Sequence, residues 1–177
     1  MVLPLCSESI LHLTSTMSII SDAIQAKCLA FSDRIIKLND YLLVQAVAAH
    51  EDYRKSKIQK KGKQTSSFLR QTSDISVAAV PVYLQSVSNL CNQLLRAGTS
   101  IGANNAEASS AISKADFKLK SYIALKEARE SLYWLELLHR NNYLTDIQFN
   151  SLYADAEELV KVLVHRCKKL DENGTEK

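Results

Sequence analysis

Residues 93–163 read QLLRAGTSIGANNAEASSAISKADFKLKSYIALKEARESLYWLELLHRNNYLTDIQFNSLYADAEELVKVL, and the spacing of their apolar positions decides the fold. Leu94, Gly98 and Ile101 continue a seam opened upstream by Val80, Leu84, Val87 and Cys91, in alternating steps of four and three. That alternation keeps one face of an α-helix apolar. Phe117, Ala124, Ala128, Ser131, Leu135 and Leu138 form a second stripe, widened by Leu125, Leu132 and Trp134. Phe149, Leu152, Ala156, Leu159 and Leu163 form a third, continued by Leu170. Ser113-x-x-Asp116 reads as the cap that opens the second of these helices, Asn141-Asn142 as a short turn, and Thr145-x-x-Gln148 as a capping box for the third. Gly98 and Gly102 lie inside a helix, where each costs ~1 kcal/mol against Ala, so the pair predicts close approach of another backbone.

Upstream, Ile24, Phe31 and Leu38 recur every seven residues, and Cys28, Ile35 and Leu42 do the same four places later. This stripe predicts a first helix over about 19–50, capped by Ser18 or Ser21. Periodicity then fails from Tyr53 to Ile75, where KSKIQKKGKQTSS is polar, basic and Gly-containing, as in a mobile loop. Pro81 suits the first turn of the next helix, having no N–H to lose. The expected fold is all-α: an antiparallel up-and-down four-helix bundle over 17–170, with a long, flexible basic insert at about 53–75 between helices 1 and 2. Residues 1–16 read as an unstructured or spurious lead and residues 171–177 as a charged tail.

Composition agrees. A chain of 177 residues with four Gly and two Pro has too few turn residues for a sandwich or barrel, and its length suits one core. Cys6, Cys28, Cys91 and Cys167 are scattered, with no C-x-x-C pair, and Cys28 and Cys91 fall on helix stripes, where Cys acts as a small hydrophobe. Together with the lack of a basic n-region and of any membrane-length apolar run, this predicts reduced thiols in a cytoplasmic protein. Net charge is +3, and the stretch from Gln45 to Ile75 alone holds +4. The basic character therefore belongs to one segment.

Motif chemistry points away from an enzyme. Glu136-x-x-His139 has the i, i+3 spacing of di-iron bundles, but those need two copies and further glutamates. No P-loop or nucleophile signature is present, since Gly98 to Gly102 is G-x-x-x-G without Lys. Catalytic, cofactor-binding and metal-ligating residues are accordingly expected to be none. The candidate site is instead a nucleic-acid-binding set: Arg54, Lys55, Lys57, Lys60, Lys61, Lys63 and Arg70, joined by Arg96. Lys and Arg neutralise phosphates, and nearby Tyr53 and Phe68 can stack bases. A further basic set on helix 3, Lys114, Lys118, Lys120, Lys126 and Arg129, is spread too widely to share one face. Tyr122, Ile123, Tyr133, Leu137, Tyr153, Val160 and Val162 lie beside the seams and predict either an unusually wide core or, the favoured reading, a second face buried between subunits.

A set of motifs carries a resemblance: Leu94-Leu95-Arg96, Gly98-Thr99-Ser100-Ile101-Gly102-Ala103-Asn104, Glu107-Ala108, Asp116-Phe117, Ile123 to Ala128, Tyr133-Trp134-Leu135, Tyr153-Ala154-Asp155 and Glu157-Glu158-Leu159. Helix 1 joins through Phe31, Arg34, Ile35 and Leu38. The chain resembles the four-helix bundle proteins encoded within intervening sequences of bacterial large-subunit ribosomal RNA genes. A distant cousin of that family is the accessory variability determinant of diversity-generating retroelements, which works with a reverse transcriptase. The resemblance implies a small bundle that forms a homopentameric ring, a nucleic-acid neighbourhood and no known reaction. Against that pattern the 1–16 extension is extra, the connection after helix 1 is long, and Asn105 replaces an apolar or basic residue. The functional expectation is a homo-oligomer that binds RNA or DNA without sequence specificity; the alternative is a scaffold for a protein partner such as a polymerase or reverse transcriptase.

Overall fold

The computed structural model describes residues 7–61 and 82–172, with side chains from Ser21 to Asp52, at Lys55 and from Gln85 to Glu172. Four helices fill it: α1 (Ser7–Lys61), α2 (Val82–Ser109), α3 (Lys114–Arg140) and α4 (Asp146–Glu172). Each helix lies beside its neighbours in sequence, and α1 closes the ring against α4. Cross-contacts run antiparallel throughout. Ser21 meets Ser109, and Ser32 reaches the carbonyl of Gly98. Arg96 pairs with Glu130, Lys118 with Asp171, and Lys27 with Glu158. The fold is the up-and-down four-helix arrangement that the stripes predict.

The core is those stripes turned inward. Phe31, Ile35, Val87, Leu94, Ile101, Leu135, Leu138, Leu159 and Leu163 are all buried, and Ala124, Ala128 and Ala156 let the helices approach. Gly98 and Gly102 face α1, as the close-approach reading requires. A Cβ at Gly98 would stand 3.2 Å from Ile35 Cγ1 and 3.4 Å from Phe31 Cε1, and one at Gly102 would stand 3.3 Å from Cys28 Cβ. Those are tight contacts in a close-packed interior, so the side chains of α1 occupy the space the glycines leave. Cys28, Cys91 and Cys167 are buried free thiols. Burial pushes Cys28 and Cys91 up to about 11, so both stay neutral and act as apolar packing groups.

Both caps form. Asp116 N–H donates to Ser113 Oγ at 3.1 Å, while Asp116 Oδ2 reaches back to Ile112 N–H at 3.3 Å. The box thus closes on the Ile112 N–H rather than on that of the cap residue Ser113. At α4, Gln148 N–H donates to Thr145 Oγ1 and Thr145 N–H to Gln148 Oε1.

Helix 1 is longer than the expected 19–50. It starts at Ser7 rather than near 19, so the second half of the lead read as unstructured is helical, and it ends at Lys61 rather than near 50. Residues 53–61, taken for the start of a loop, complete its last turns. The rest of that insert, 62–75, lies outside the described residues. For the C-terminal end the physical reason is compositional, since residues 50–61 hold only Tyr53 and Ile58 as large apolar side chains and no stripe marks them; at the other end Ile10, Leu13, Met17 and Ile20 continue the spacing into Ile24. The last buried residue described on α1 is Ala46, and the antiparallel register puts Val82, where α2 begins, level with about residue 50 of α1. Beyond that level the α1 backbone continues for roughly 16 Å.

Candidate functional site

The two ends of the bundle differ. At the end holding the α2–α3 turn, Asn105 is fully buried and satisfied on both sides of its amide. It donates to Gln25 Oε1 at 2.6 Å and accepts from Arg166 Nη1 at 2.6 Å. The Arg166 guanidinium lies over the Phe117 ring, 5.7 Å from its centroid. Desolvation by burial holds the Arg166 pKa below the usual arginine value. Nearby, Asp171 accepts from Tyr122 Oη at 2.5 Å and pairs with Lys118 at 2.7 Å, tying α3 to α4. Those hydrogen bonds hold the Asp171 carboxyl below the usual range and push the Tyr122 hydroxyl up to about 12.

At the opposite end, where α3 turns into α4, the described residues border a cleft. The cleft, of about 650 Å³, is walled by Tyr41, Gln45, Ala46 and Ala49 of α1 on one side. Across it stand His139 from the end of α3, Asn142 and Tyr143 from the turn, and Gln148 from the first turns of α4, with Val87 of α2 also on the lining. The turn is shaped by Asn142 in the left-handed region (φ 60°), which Asn tolerates better than most residues. His139 stacks on Phe149, centroids 4.2 Å apart and planes 5° apart, and its Nε2 lies 2.8 Å from Asp146 Oδ1.

The basic set stands just past this end. Arg54, Lys55, Lys57, Lys60 and Lys61 occupy the last turns of α1. Of these only the Lys55 side chain is described; it is exposed, with Nζ 3.7 Å from Asp52 Oδ1. Lys63 and Arg70 lie outside the described residues. Arg96 does not join the set. It sits on the α2–α3 seam, donating to Glu130 at 3.2 Å and Gln93 at 3.3 Å, and the register places it about 27 Å from Arg54 along the helix axis. Trp134 Nε1 donates to the same Glu130 oxygen at 3.1 Å, so this seam is a local network.

The other sequence candidates also resolve. Glu136 pairs with Arg140 and His139 with Asp146, so the two members of the i, i+3 pair are separately engaged. Among the described residues no group of three or more His, Cys, Asp or Glu comes together to hold a metal. No described helix is long and apolar enough to cross a membrane. On α3, Lys118 and Lys120 pair with Asp171 and Glu107, whereas Lys114, Lys126 and Arg129 are exposed. Of the second-face residues, Tyr122 and Tyr133 are exposed, while Ile123, Leu137, Tyr153, Val160 and Val162 are half-buried. A larger exposed apolar run escaped the sequence reading. Leu29, Ile36, Val44 and Val47 stand on α1 away from its core stripe, Val44 being 65 % exposed. The signal was present as Leu29-x6-Ile36-x6-Leu43, a heptad parallel to the core stripe.

The fold and the site define an all-α four-helix bundle whose first helix carries basic residues at its C-terminal end. Residues 72–165 match the family described as 23S rRNA-intervening sequence protein, and the chain belongs to that family. It is also similar to a crystal structure from Bacteroides thetaiotaomicron VPI-5482, described as a protein of unknown function from the S23 ribosomal protein family. The two are 34% identical, the match covers 84% of this chain and 98% of that one, and the TM-score is 0.58. No curated protein matches this chain.

Proposed function

We propose that this chain is a non-enzymatic, self-assembling bundle of the cytoplasm that binds RNA or DNA by charge rather than by sequence. One observation carries the reading: α1 runs unbroken to Lys61, so five basic residues among positions 54–61 ride on a helix that extends past the level at which α2 begins. Basic residues on a regular scaffold keep a fixed spacing, so phosphates that pair with them release counterions together. The family name, which ties relatives to ribosomal RNA intervening sequences, agrees with a nucleic-acid neighbourhood. Self-assembly into a homo-oligomer, with a ring of five as the expected form, is supported by the apolar residues left exposed on α1 and by Tyr133, 58 % exposed on α3. That same Tyr133 surface favours the second reading, a docking face for a protein partner such as a polymerase or reverse transcriptase.

Fluorescence anisotropy across a salt series tests the first reading, with the full chain and a variant carrying Gln at positions 54, 57, 60 and 61. Binding is expected to weaken steeply as salt rises, and the variant's log–log slope should fall by about one for each residue that contacted a phosphate. Affinity independent of salt, or a variant that binds like the parent, would overturn the reading. A stoichiometric protein partner retained after nuclease treatment would favour the scaffold instead.

A further inference from the structure

The cleft is not accounted for by charge. Its volume of about 650 Å³ falls within the range of small-molecule sites. Its walls carry flat rings and neutral amides: Tyr41 and Gln45 from α1, and His139, Asn142, Tyr143 and Gln148 across from them, with Gln148 Oε1 already accepting from Thr145 and one face of His139 covered by Phe149. Tyr41 is 48 % exposed although its neighbours Leu42 and Ala46 are buried, so an aromatic ring is held at the lip. The His139 ring is locked in plane by its stack on Phe149 and its contact with Asp146. Among the described residues Asp146 is the one carboxylate on the lining, and that contact already engages it. A wall of π-faces and neutral hydrogen-bonding groups suits a planar heterocycle with a polar edge better than it suits an anion or an aliphatic chain.

The neighbourhood narrows the ligand further. Ala49 lines the cleft, and Arg54 follows five residues on, a rise of about 7.5 Å along the same helix. Heterocycle site and basic turns are therefore adjacent on one rigid element, which matches a base joined to a phosphate backbone. A duplex keeps its bases stacked and paired, so only an unpaired strand can offer a base to such a cleft.

We propose that the cleft seats an unpaired nucleobase of a single strand whose phosphates run over the basic end of α1. The inference rests on the nucleic-acid reading above and narrows it from any polymer to the single-stranded form. The full chain is tested by anisotropy with a short labelled single-stranded RNA and with a blunt duplex of the same length. Two variants are compared: Tyr41→Ala, which removes the exposed ring, and Ala49→Trp, which fills the cleft. Both should weaken single-strand binding by about tenfold, the scale of one lost base–aromatic stack, and leave duplex binding and its salt slope unchanged. Single-strand affinity within about twofold of the parent in both variants would overturn the cleft proposal while leaving the charge reading intact. If the parent binds neither form, the nucleic-acid reading fails and the cleft proposal with it. A fall in assembly mass on Tyr41→Ala, read by light scattering, would assign the cleft to a second copy of the chain and overturn the proposal.

Discussion

The two ends of the bundle are built from similar residue types and put them to opposite use. At the α2–α3 end, an amide, a guanidinium and an aromatic ring meet one another: Asn105 bridges Gln25 and Arg166, and Arg166 covers Phe117. At the α3–α4 end, an imidazole, two tyrosines and several amides line a cleft instead of filling it. A buried polar group with internal partners fixes how helices meet, because a shift of register would strand it. Of the groups on the cleft, His139 contacts Asp146 and Phe149, and Gln148 Oε1 accepts from Thr145, so their partners are local rather than across the bundle. The contrast separates the part of the molecule that specifies the fold from the part available for recognition.

Between the ends, the core supplies the stability, and a break there should be the largest. Leu135→Ala removes a fully buried side chain and is expected to cost about 2–5 kcal/mol in chemical denaturation, depending on how far the cavity collapses. A loss below about 1 kcal/mol would mean that the helices slide to refill the space. The comparison itself is sharpened by making one kind of change at each end. Asn105→Leu strands the Gln25 carbonyl and an Arg166 N–H, and should cost about 1–3 kcal/mol. Gln45→Leu, on the cleft wall, should stay within about 0.5 kcal/mol of the parent. Equal effects would erase the distinction between the ends.

A smaller effect follows from the core thiols. Cys28 and Cys91 are raised from an ordinary value near 9 to about 11 by desolvation. The unfolded chain sheds those protons above about pH 9, while the folded chain keeps them to about pH 11. Stability from these groups is therefore complete below pH 9 and declines between pH 9 and 11. Replacing both by Ala should flatten that part of the curve of denaturation midpoint against pH. A parent curve already flat from pH 9 to 11 would show that the buried thiols do not contribute.

Much of the fold was legible because packing writes a period into the sequence. The stripes through Ile35, Leu94, Leu135 and Leu159 named the core, and the glycine pair named the close face of α2. Ser113 and Thr145 announced their helices for a local reason, since a cap needs only residues three apart. The two ends of α1 differ: Ile10, Leu13, Met17 and Ile20 step by three and four into Ile24, a signal present but passed over, whereas residues 50–61 hold only Tyr53 and Ile58 as large apolar side chains and write no period. Asn105 stood out as a departure, but its partners Gln25 and Arg166 lie 80 and 61 residues away and only the fold joins them. The cleft was hidden for the same reason. Tyr41 and Tyr143 come from elements whose proximity depends on α1 closing against α4. The basic residues were legible as composition, and their placement on a helix through Lys61 was not.

The most direct test of the account is where a nucleic acid touches the protein. Single-stranded RNA carrying photoreactive uridines would be cross-linked to the full chain and the adducts mapped by mass spectrometry. Adducts concentrated in residues 41–61 and 139–148 are the predicted result, because the cleft and the basic turns of α1 share that end. Adducts concentrated instead on the exposed basic residues of α3, Lys114, Lys126 and Arg129, or spread evenly over the bundle, would contradict it.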